Sequence, residues 1–124
     1  MPQEEITDNR PKNYSKFRRT LNFGYCTDGD FFEQRVKDGE LVAVAYIETI
    51  QIPNYADPKD YPVWDSKKTL AEEIKNKMNI PAFYVYNTKS CNFFYVNPVG
   101  TDKILKLSKL EYINFLKHLW RKSL

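Results

Sequence analysis

The chain has few of the residues on which common catalytic and metal-binding motifs depend. Its 124 residues include two cysteines, four glycines and one histidine. Because no CxxC pair is present, a structural zinc site is not predicted. No phosphate loop or dinucleotide fingerprint occurs. A serine or cysteine triad would need His118 as its base, and we expect this histidine at the surface of the last helix.

Long apolar runs are also lacking. The polar N-terminus, MPQEEITDNRPK, has no signal-peptide core, and no segment approaches the length of a membrane span. We therefore expect no membrane association and a location in the cytoplasm. There Cys26 and Cys91 stay reduced unless the fold brings them together. The length predicts one domain over residues 1–124, with 1–11 as a flexible tail.

Aromatic and basic residues are abundant. Nine tyrosines and eight phenylalanines are expected mainly to fill the core, although such rings also stack on nucleobases or form partner surfaces. The net charge of +3 permits nucleic-acid binding without requiring it. Two basic clusters are either solvated surface or phosphate contacts. They are Arg10, Lys12, Lys16, Arg18 and Arg19, and Lys103, Lys106, Lys109, Lys117, Arg121 and Lys122.

Hydrophobic periodicity predicts an α/β (α+β) domain in which about three helices flank a central mixed sheet of roughly four or five strands. Helices are expected where apolar residues recur every three or four positions, at 13–20, 66–79 and 108–121. Strands are expected at 29–36, 41–52, 82–87 and 92–97, with room for a further short strand near 22–26.

Three local signals support this framework. Asp38-Gly39 predicts a tight hairpin turn between the first two long strands. The second arm of that hairpin, LVAVAYIETIQI, is a continuous apolar and β-branched run, which is typical of a central strand buried on both faces. Ser108 and Glu111 have the spacing of a capping box at the start of the last helix.

Acidic residues on the two arms of the hairpin form the candidate site. Asp28, Asp30 and Glu33 lie at the start of the first arm, and Glu48 lies within the apolar second arm. Because positions 30 and 48 are nearly equidistant from the turn, their carboxylates can converge if both point to one face. Two close carboxylates repel unless a cation lies between them, and oxygen ligands suit Mg²⁺ or Mn²⁺. Such a metal would polarise a phosphate and activate water.

Simpler interpretations of these acids stay open. The segment 27–30, Thr-Asp-Gly-Asp, also fits a plain turn. Glu48 also fits a carboxylate that reaches solvent at a strand end, or one that pairs with Arg18, Arg19 or Arg35, because carboxylates are rarely buried unpaired.

In order and spacing, these segments resemble the PD-(D/E)xK nuclease superfamily. Its members share a helix, a three-strand meander, a helix and further strands, with an Asp opening one strand and E-x-K on the next. Here a helix at 13–20 precedes DGDFFEQR, AVAYIET and a helix at 66–79. The segment NYSKFRRTLNFGYCTDGDFFEQR followed by LVAVAYIE is similar to small archaeal and viral members, and for a viral protein the resemblance implies a location in the host cytoplasm. The resemblance covers roughly residues 12–97 and implies a restriction-endonuclease-like core.

The chain departs from the family pattern at the lysine. Ile50 stands two residues after Glu48, where the family has a lysine that positions or activates the water. Isoleucine can neither donate a hydrogen bond nor carry charge. Gln51 is adjacent, but strand alternation points it to the opposite face unless a bulge intervenes. Lys16 or Lys68 could take the place of the missing lysine.

The resemblance implies a nuclease-like protein that processes nucleic acid by Mg²⁺- or Mn²⁺-dependent hydrolysis of DNA phosphodiesters. The predicted catalytic residues are Asp30, Glu48 and Gln51. The predicted metal ligands are Asp28, Asp30 and Glu48, which Glu33 could join. The predicted phosphate contacts are Lys16, Arg18, Arg19 and Arg35.

Two alternatives stay open. Ile50 in place of lysine favours a catalytically inactive module of the same fold that binds nucleic acid or a protein partner. The uncharged aromatic segment 92–97 would suit an exposed sheet edge or an interface, and hence a homodimer.

Overall fold

A computed structural model describes residues 12–21, 25–27 and 32–122. The helices are α1 Lys12–Arg19, α2 Asp65–Met78 and α3 Lys109–Lys122, and a 3₁₀ turn spans Pro58–Asp60. The strands are β1 Tyr25–Thr27, β2 Phe32–Lys37, β3 Glu40–Ile52, β4 Ala82–Thr88, β5 Phe93–Pro98 and β6 Leu105–Ser108. The predicted tail, 1–11, lies outside the described residues. In the part of the chain that is described, no helix has the length and apolar character needed to cross a membrane.

The described strands form one mixed sheet in chain order, from β1 to β6. Neighbours are antiparallel except β3 and β4, which are parallel and are joined by the crossover helix α2. Helices α1 and α3 pack on one face and α2 packs on the other. This arrangement confirms the predicted α/β (α+β) class, a mixed sheet flanked by three helices.

Strand β3 lies at the centre of the sheet, as its apolar run predicts. It pairs with β2 on one side and β4 on the other, and the four consecutive residues 44–47 are buried. The turn before it has positive φ at both Asp38 (53°) and Gly39 (80°). This is the geometry that the right-handed twist of a tight hairpin favours, so the turn prediction is confirmed.

The aromatic core lies between the sheet and helices α1 and α3. Tyr14, Phe17, Phe94 and Tyr112 are buried there, and the Phe94 and Tyr112 rings stack with centroids 4.2 Å apart. The hydroxyls of Tyr14 and Tyr112 form a buried hydrogen bond of 2.6 Å. For these four rings, the expectation that aromatics fill the core is confirmed.

Strand β6 was not predicted, and it changes the expectation for segment 92–97. Strand β5 pairs with β4 on one side and with β6 on the other. The expectation that this segment forms an exposed edge is therefore wrong. β6 is a four-residue strand directly followed by α3, so the sequence offers no separate segment long enough to be recognised.

The start of α3 carries the predicted capping box. The Ser108 amide donates to Glu111 Oε1 at 2.9 Å, and the Glu111 amide donates to Ser108 Oγ at 3.2 Å. The hydrogen bond from the Ser108 backbone amide, and to a smaller extent one from the Ser108 side chain, hold the pKa of the Glu111 carboxyl below its usual value. The carboxylate therefore stabilises the folded state in its charged form.

This lowered pKa predicts a pH-dependent contribution to stability. The contribution of Glu111 is complete above its unfolded pKa, about 4.3, and is lost as the pH falls through the lower folded pKa. Glu111→Gln keeps the hydrogen-bonding shape without the charge. We expect its melting temperature to lie below that of the wild type at neutral pH and to converge with it in acid. Thermal unfolding followed by circular dichroism measures this, and a difference independent of pH would contradict it.

Candidate functional site

Glu48 lies on the face of the central strand that α2 covers. Side chains alternate along β3, so Glu48 shares this face with Tyr46, Ile50 and Ile52, which pack in or against the apolar cluster beneath α2. In the parallel register, Glu48 lies opposite Tyr84 of β4. Its side chain is only 17% exposed. A carboxylate at that depth needs partners.

Two side chains contact the Glu48 carboxylate. The Tyr46 hydroxyl donates to Oε2 at 2.5 Å, because residues two apart on a strand lie side by side on one face. Lys67 Nζ lies 3.1 Å from Oε1. Lys67 belongs to the first turn of α2, which the crossover between two parallel strands brings over this face. Glu48 is thus neither solvent-facing alone nor paired with Arg18, Arg19 or Arg35.

Lys67 was missed by the sequence analysis, which named Lys16 and Lys68 as substitutes for the motif lysine. Lys68 is the next residue of the helix, and consecutive helix residues do not face the same side. Its side chain therefore points away from that of Lys67 and lines a different cavity. Lys16 belongs to α1, on the other side of the sheet. The available signal was the position of Lys67 at the start of the helix that follows the Glu48 strand.

Two tyrosines of β4 extend this polar surface. Burial, with smaller contributions from Glu72 and Glu48, raises the pKa of Tyr84. Burial also raises the pKa of Tyr86, whose hydroxyl donates to the Tyr61 carbonyl at 3.0 Å. Both phenols therefore stay neutral at physiological pH and act as hydrogen-bonding groups rather than as bases.

Gln51 does not join Glu48. The β3–β4 register runs without interruption from Tyr46 to Ile52, so no bulge rotates position 51 onto the Glu48 face. Gln51 is exposed on the opposite face of the strand. Its predicted catalytic role alongside Glu48 is therefore corrected.

Two of the predicted phosphate contacts are also corrected. Arg18 is 5% exposed, and its Nε and Nη2 atoms each donate to a different oxygen of Glu33 at 2.8 Å. Arg35 is 7% exposed and lies 5.6 Å from the centre of the Trp120 ring. Both arginine side chains are buried, and both oxygens of Glu33 accept hydrogen bonds from Arg18. Lys16 and Arg19 are exposed and stay predicted phosphate contacts.

The described residues do not by themselves fit a divalent cation. Within them, no three His, Cys, Asp or Glu side chains gather as metal ligands. The Glu48 carboxylate is already contacted by an ammonium group, which repels a further cation. Asp28 and Asp30 lie outside the described residues, so the Mg²⁺ or Mn²⁺ site that includes them stays a prediction.

Two cavities are lined by neighbours of Glu48, one by Lys67 and the other by Tyr84. One, of about 370 Å³, is lined by Ile50, Trp64 and Lys67 among others. The other, of about 420 Å³, is lined by Lys68, Tyr84 and neighbouring polar residues. Lys67, which contacts Glu48, is therefore accessible to a ligand.

Comparison with known proteins gives no relative: no protein-family model, curated protein or solved structure matches the chain.

Proposed function

We propose that this chain is a nuclease-like protein that processes nucleic acid, with Glu48 and Lys67 at its site. The observation that carries the proposal is the 3.1 Å contact between Lys67 Nζ and Glu48 Oε1 on the α2 face of the central strand. It supplies an acid and a lysine side by side, although the motif position itself, Ile50, is apolar.

The element order supports the same proposal. A helix, an antiparallel three-strand meander, a helix and further strands follow one another, in the order expected from the resemblance to PD-(D/E)xK nucleases. Phe32 and Tyr46 are paired across the hairpin. In sequence, Asp30 is two positions before Phe32, and Glu48 is two positions after Tyr46. We therefore retain Asp30 as the proposed second carboxylate, although it lies outside the described residues.

The chemistry assigned to this pair is simple. The Lys67 ammonium donates to a phosphoryl oxygen and stabilises the charge that develops on it. The Glu48 carboxylate, released from Lys67 by the phosphate, accepts a proton from the attacking water. The water oxygen bonds to phosphorus as the P–O bond to the leaving sugar oxygen breaks, and that oxygen takes a proton from solvent water. The Tyr46 hydroxyl keeps the carboxylate in place by holding its other oxygen. Mg²⁺ or Mn²⁺ is the proposed cofactor, to be tested directly. A cytoplasmic location and a homodimer also stay predictions.

A second candidate is a catalytically inactive module of the same fold. It is favoured because each oxygen of Glu48 already has a partner, so that the pair is balanced without a ligand. Such a module would bind nucleic acid through exposed lysines without cleaving it, and its affinity would fall as salt rises.

Cleavage assays with matched variants test the proposal. We expect the wild type to cut DNA with Mn²⁺ or Mg²⁺ and to stop when EDTA is added. Glu48→Gln should lower the cleavage rate by about 10²–10⁴-fold, the usual effect of losing an acid–base group. Lys67→Met should lower it by about 10²–10³-fold, the usual effect of losing a donor that stabilises developing charge. Lys77→Met removes an exposed lysine from the last turn of the same helix and should cut like the wild type.

The outcomes separate the two candidates. Cleavage that survives Glu48→Gln and Lys67→Met would remove this pair from the mechanism. Salt-sensitive binding without cleavage, under every metal condition, would establish the inactive module instead. Neither binding nor cleavage at low salt would overturn both. Circular dichroism of each variant checks that lost activity does not come from lost folding.

A further inference from the structure

An exposed tryptophan lies at the mouth of the cavity beside the Glu48–Lys67 pair. Trp64 is 74% exposed and precedes the first residue of α2, where its side chain caps nothing. Among the residues that the structure describes, no ring or hydrogen-bonding group engages its indole. Tyr61, which is 38% exposed, lines the same cavity, so two exposed rings lie together there. Rings that combine an apolar body with a polar group are typical of contact surfaces.

The cavity itself suits a flat, partly apolar ligand. Its volume is about 370 Å³, within the ~300–1,000 Å³ usual for small-ligand sites. Its walls are Ile50, Tyr61, Pro62, Val63 and Trp64, with Asp60 and Lys67 as the charged groups. Ile50, the residue at the motif lysine position, therefore forms apolar lining here instead of carrying charge.

The charges place a ligand in one orientation. Lys67 lines the cavity and also contacts Glu48, so a phosphate bound to Lys67 lies beside the Glu48 carboxylate. Asp60 can accept hydrogen bonds from the exocyclic amine of a base but would repel a phosphate. The aromatic rings offer stacking faces to the base itself.

We propose that this cavity is a subsite for one unpaired nucleobase, so that the substrate is single-stranded nucleic acid or a strand with an extruded base. The proposal rests on the proposed function and names its substrate class. In an intact duplex, both faces of every base are already stacked on neighbours, and only a base that leaves the stack presents a face to Trp64. Stacking on aromatic side chains tolerates any sequence.

Binding measured without hydrolysis tests the subsite. A fluorescently labelled oligodeoxycytidine strand is titrated with the protein in EDTA, and its anisotropy gives Kd. We expect Trp64→Ala to raise Kd about tenfold and Trp64→Phe, which keeps a ring, to restore most of the affinity. Tyr55→Ala is the matched control, since Tyr55 is 99% exposed in the same connecting loop but does not line the cavity. A duplex of the same length should bind more weakly.

Salt dependence provides a second readout. Stacking releases no counterions, so Trp64→Ala should weaken binding at every salt concentration without changing the slope of log Kd against log salt. Lys67→Met should lower that slope. Wild-type affinity in Trp64→Ala, or equal binding of duplex and single strand, would overturn the subsite.

The two proposals fail separately. If cleavage depends on Glu48 but binding is unchanged in Trp64→Ala, the nuclease proposal is supported and the subsite proposal is overturned. Trp64-dependent binding of single strands by a protein that never cleaves would retain the subsite and remove the catalysis. No binding of the single strand at low salt would overturn the subsite and leave the cavity to another kind of ligand.

Discussion

Glu33→Leu is expected to lower the free energy of unfolding by about 3–5 kcal/mol, because it leaves the Arg18 guanidinium buried without its carboxylate. The two side chains are 5% and 3% exposed and share two hydrogen bonds of 2.8 Å. Removing one ion from such a pair costs more than the pair contributes, since the remaining charge loses its carboxylate while it stays largely out of water. A loss of this size is a large part of the ~5–15 kcal/mol by which domains are stable.

Two further variants show whether the isolated charge is responsible. The double variant Arg18→Met/Glu33→Leu removes both ions and should recover most of the lost stability. Glu40→Leu makes the same chemical change at an exposed position of the hairpin and should stay within about 0.5 kcal/mol of the wild type. Urea denaturation measures all three. A Glu33→Leu loss no larger than that of Glu40→Leu would contradict the expectation.

The ion pair also explains how a short helix is held. Helix α1 has eight residues, too few to be stable alone in water. Arg18 connects it to Glu33 of β2, while Tyr14 and Phe17 enter the core beneath it. We therefore expect Glu33→Leu to increase amide hydrogen exchange in α1 more than in α2.

Phe94→Ala is the second large expected effect, a loss of about 3–5 kcal/mol. Phe94 is fully buried, stacks on Tyr112 at 4.2 Å and lies 5.0 Å from the Phe17 ring. Removing it leaves a cavity between the sheet and two helices, and rigid aromatic neighbours cannot collapse to fill it. The ring pairs that Phe94 makes with its neighbours are lost as well.

The adjacent phenylalanine is the matched control. Phe93 is 44% exposed, points to the other face of β5 and lies beneath the Lys106 ammonium at 4.5 Å. Phe93→Ala should cost at most about 1 kcal/mol, the value of an exposed cation–π contact. Thermal and urea unfolding of both variants measure the contrast. Equal losses at the two positions would show that burial on the helix-covered face is not what stabilises Phe94.

The secondary structure was largely predictable because its signals are local. The helices predicted at 66–79 and 108–121 are observed at Asp65–Met78 and Lys109–Lys122, each within one residue. The Asp38-Gly39 turn and the Ser108–Glu111 capping box were also correct. Each depends on residues no more than a few positions apart. The edge assignment of 92–97 failed because β6, which covers it, is too short to be recognised without its partner strand.

The candidate site was predictable only in part. A carboxylate inside an apolar run marked Glu48, because such a residue must be paired or functional. Its partner Lys67 was not identified, because its position at the start of the crossover helix is only an indirect signal and the contact itself depends on where that helix packs on the sheet. Arg18 was assigned to phosphate for a similar reason. Its charge is visible in the sequence, but its burial against Glu33, 15 residues away, is not.

By itself, the sequence determined the helices, the hairpin turn and the central strand, because hydrophobic period, turn chemistry and capping act between near neighbours. Only the tertiary structure decided which charged side chains form buried ion pairs and which lie where a ligand can reach them. Arg18 and Glu33 satisfy each other on one face of the sheet, while Glu48 and Lys67 meet on the other beside an open cavity. The physical reason is that a charge is stabilised or exposed by groups that folding brings from distant parts of the chain, and its own neighbours in sequence do not specify them.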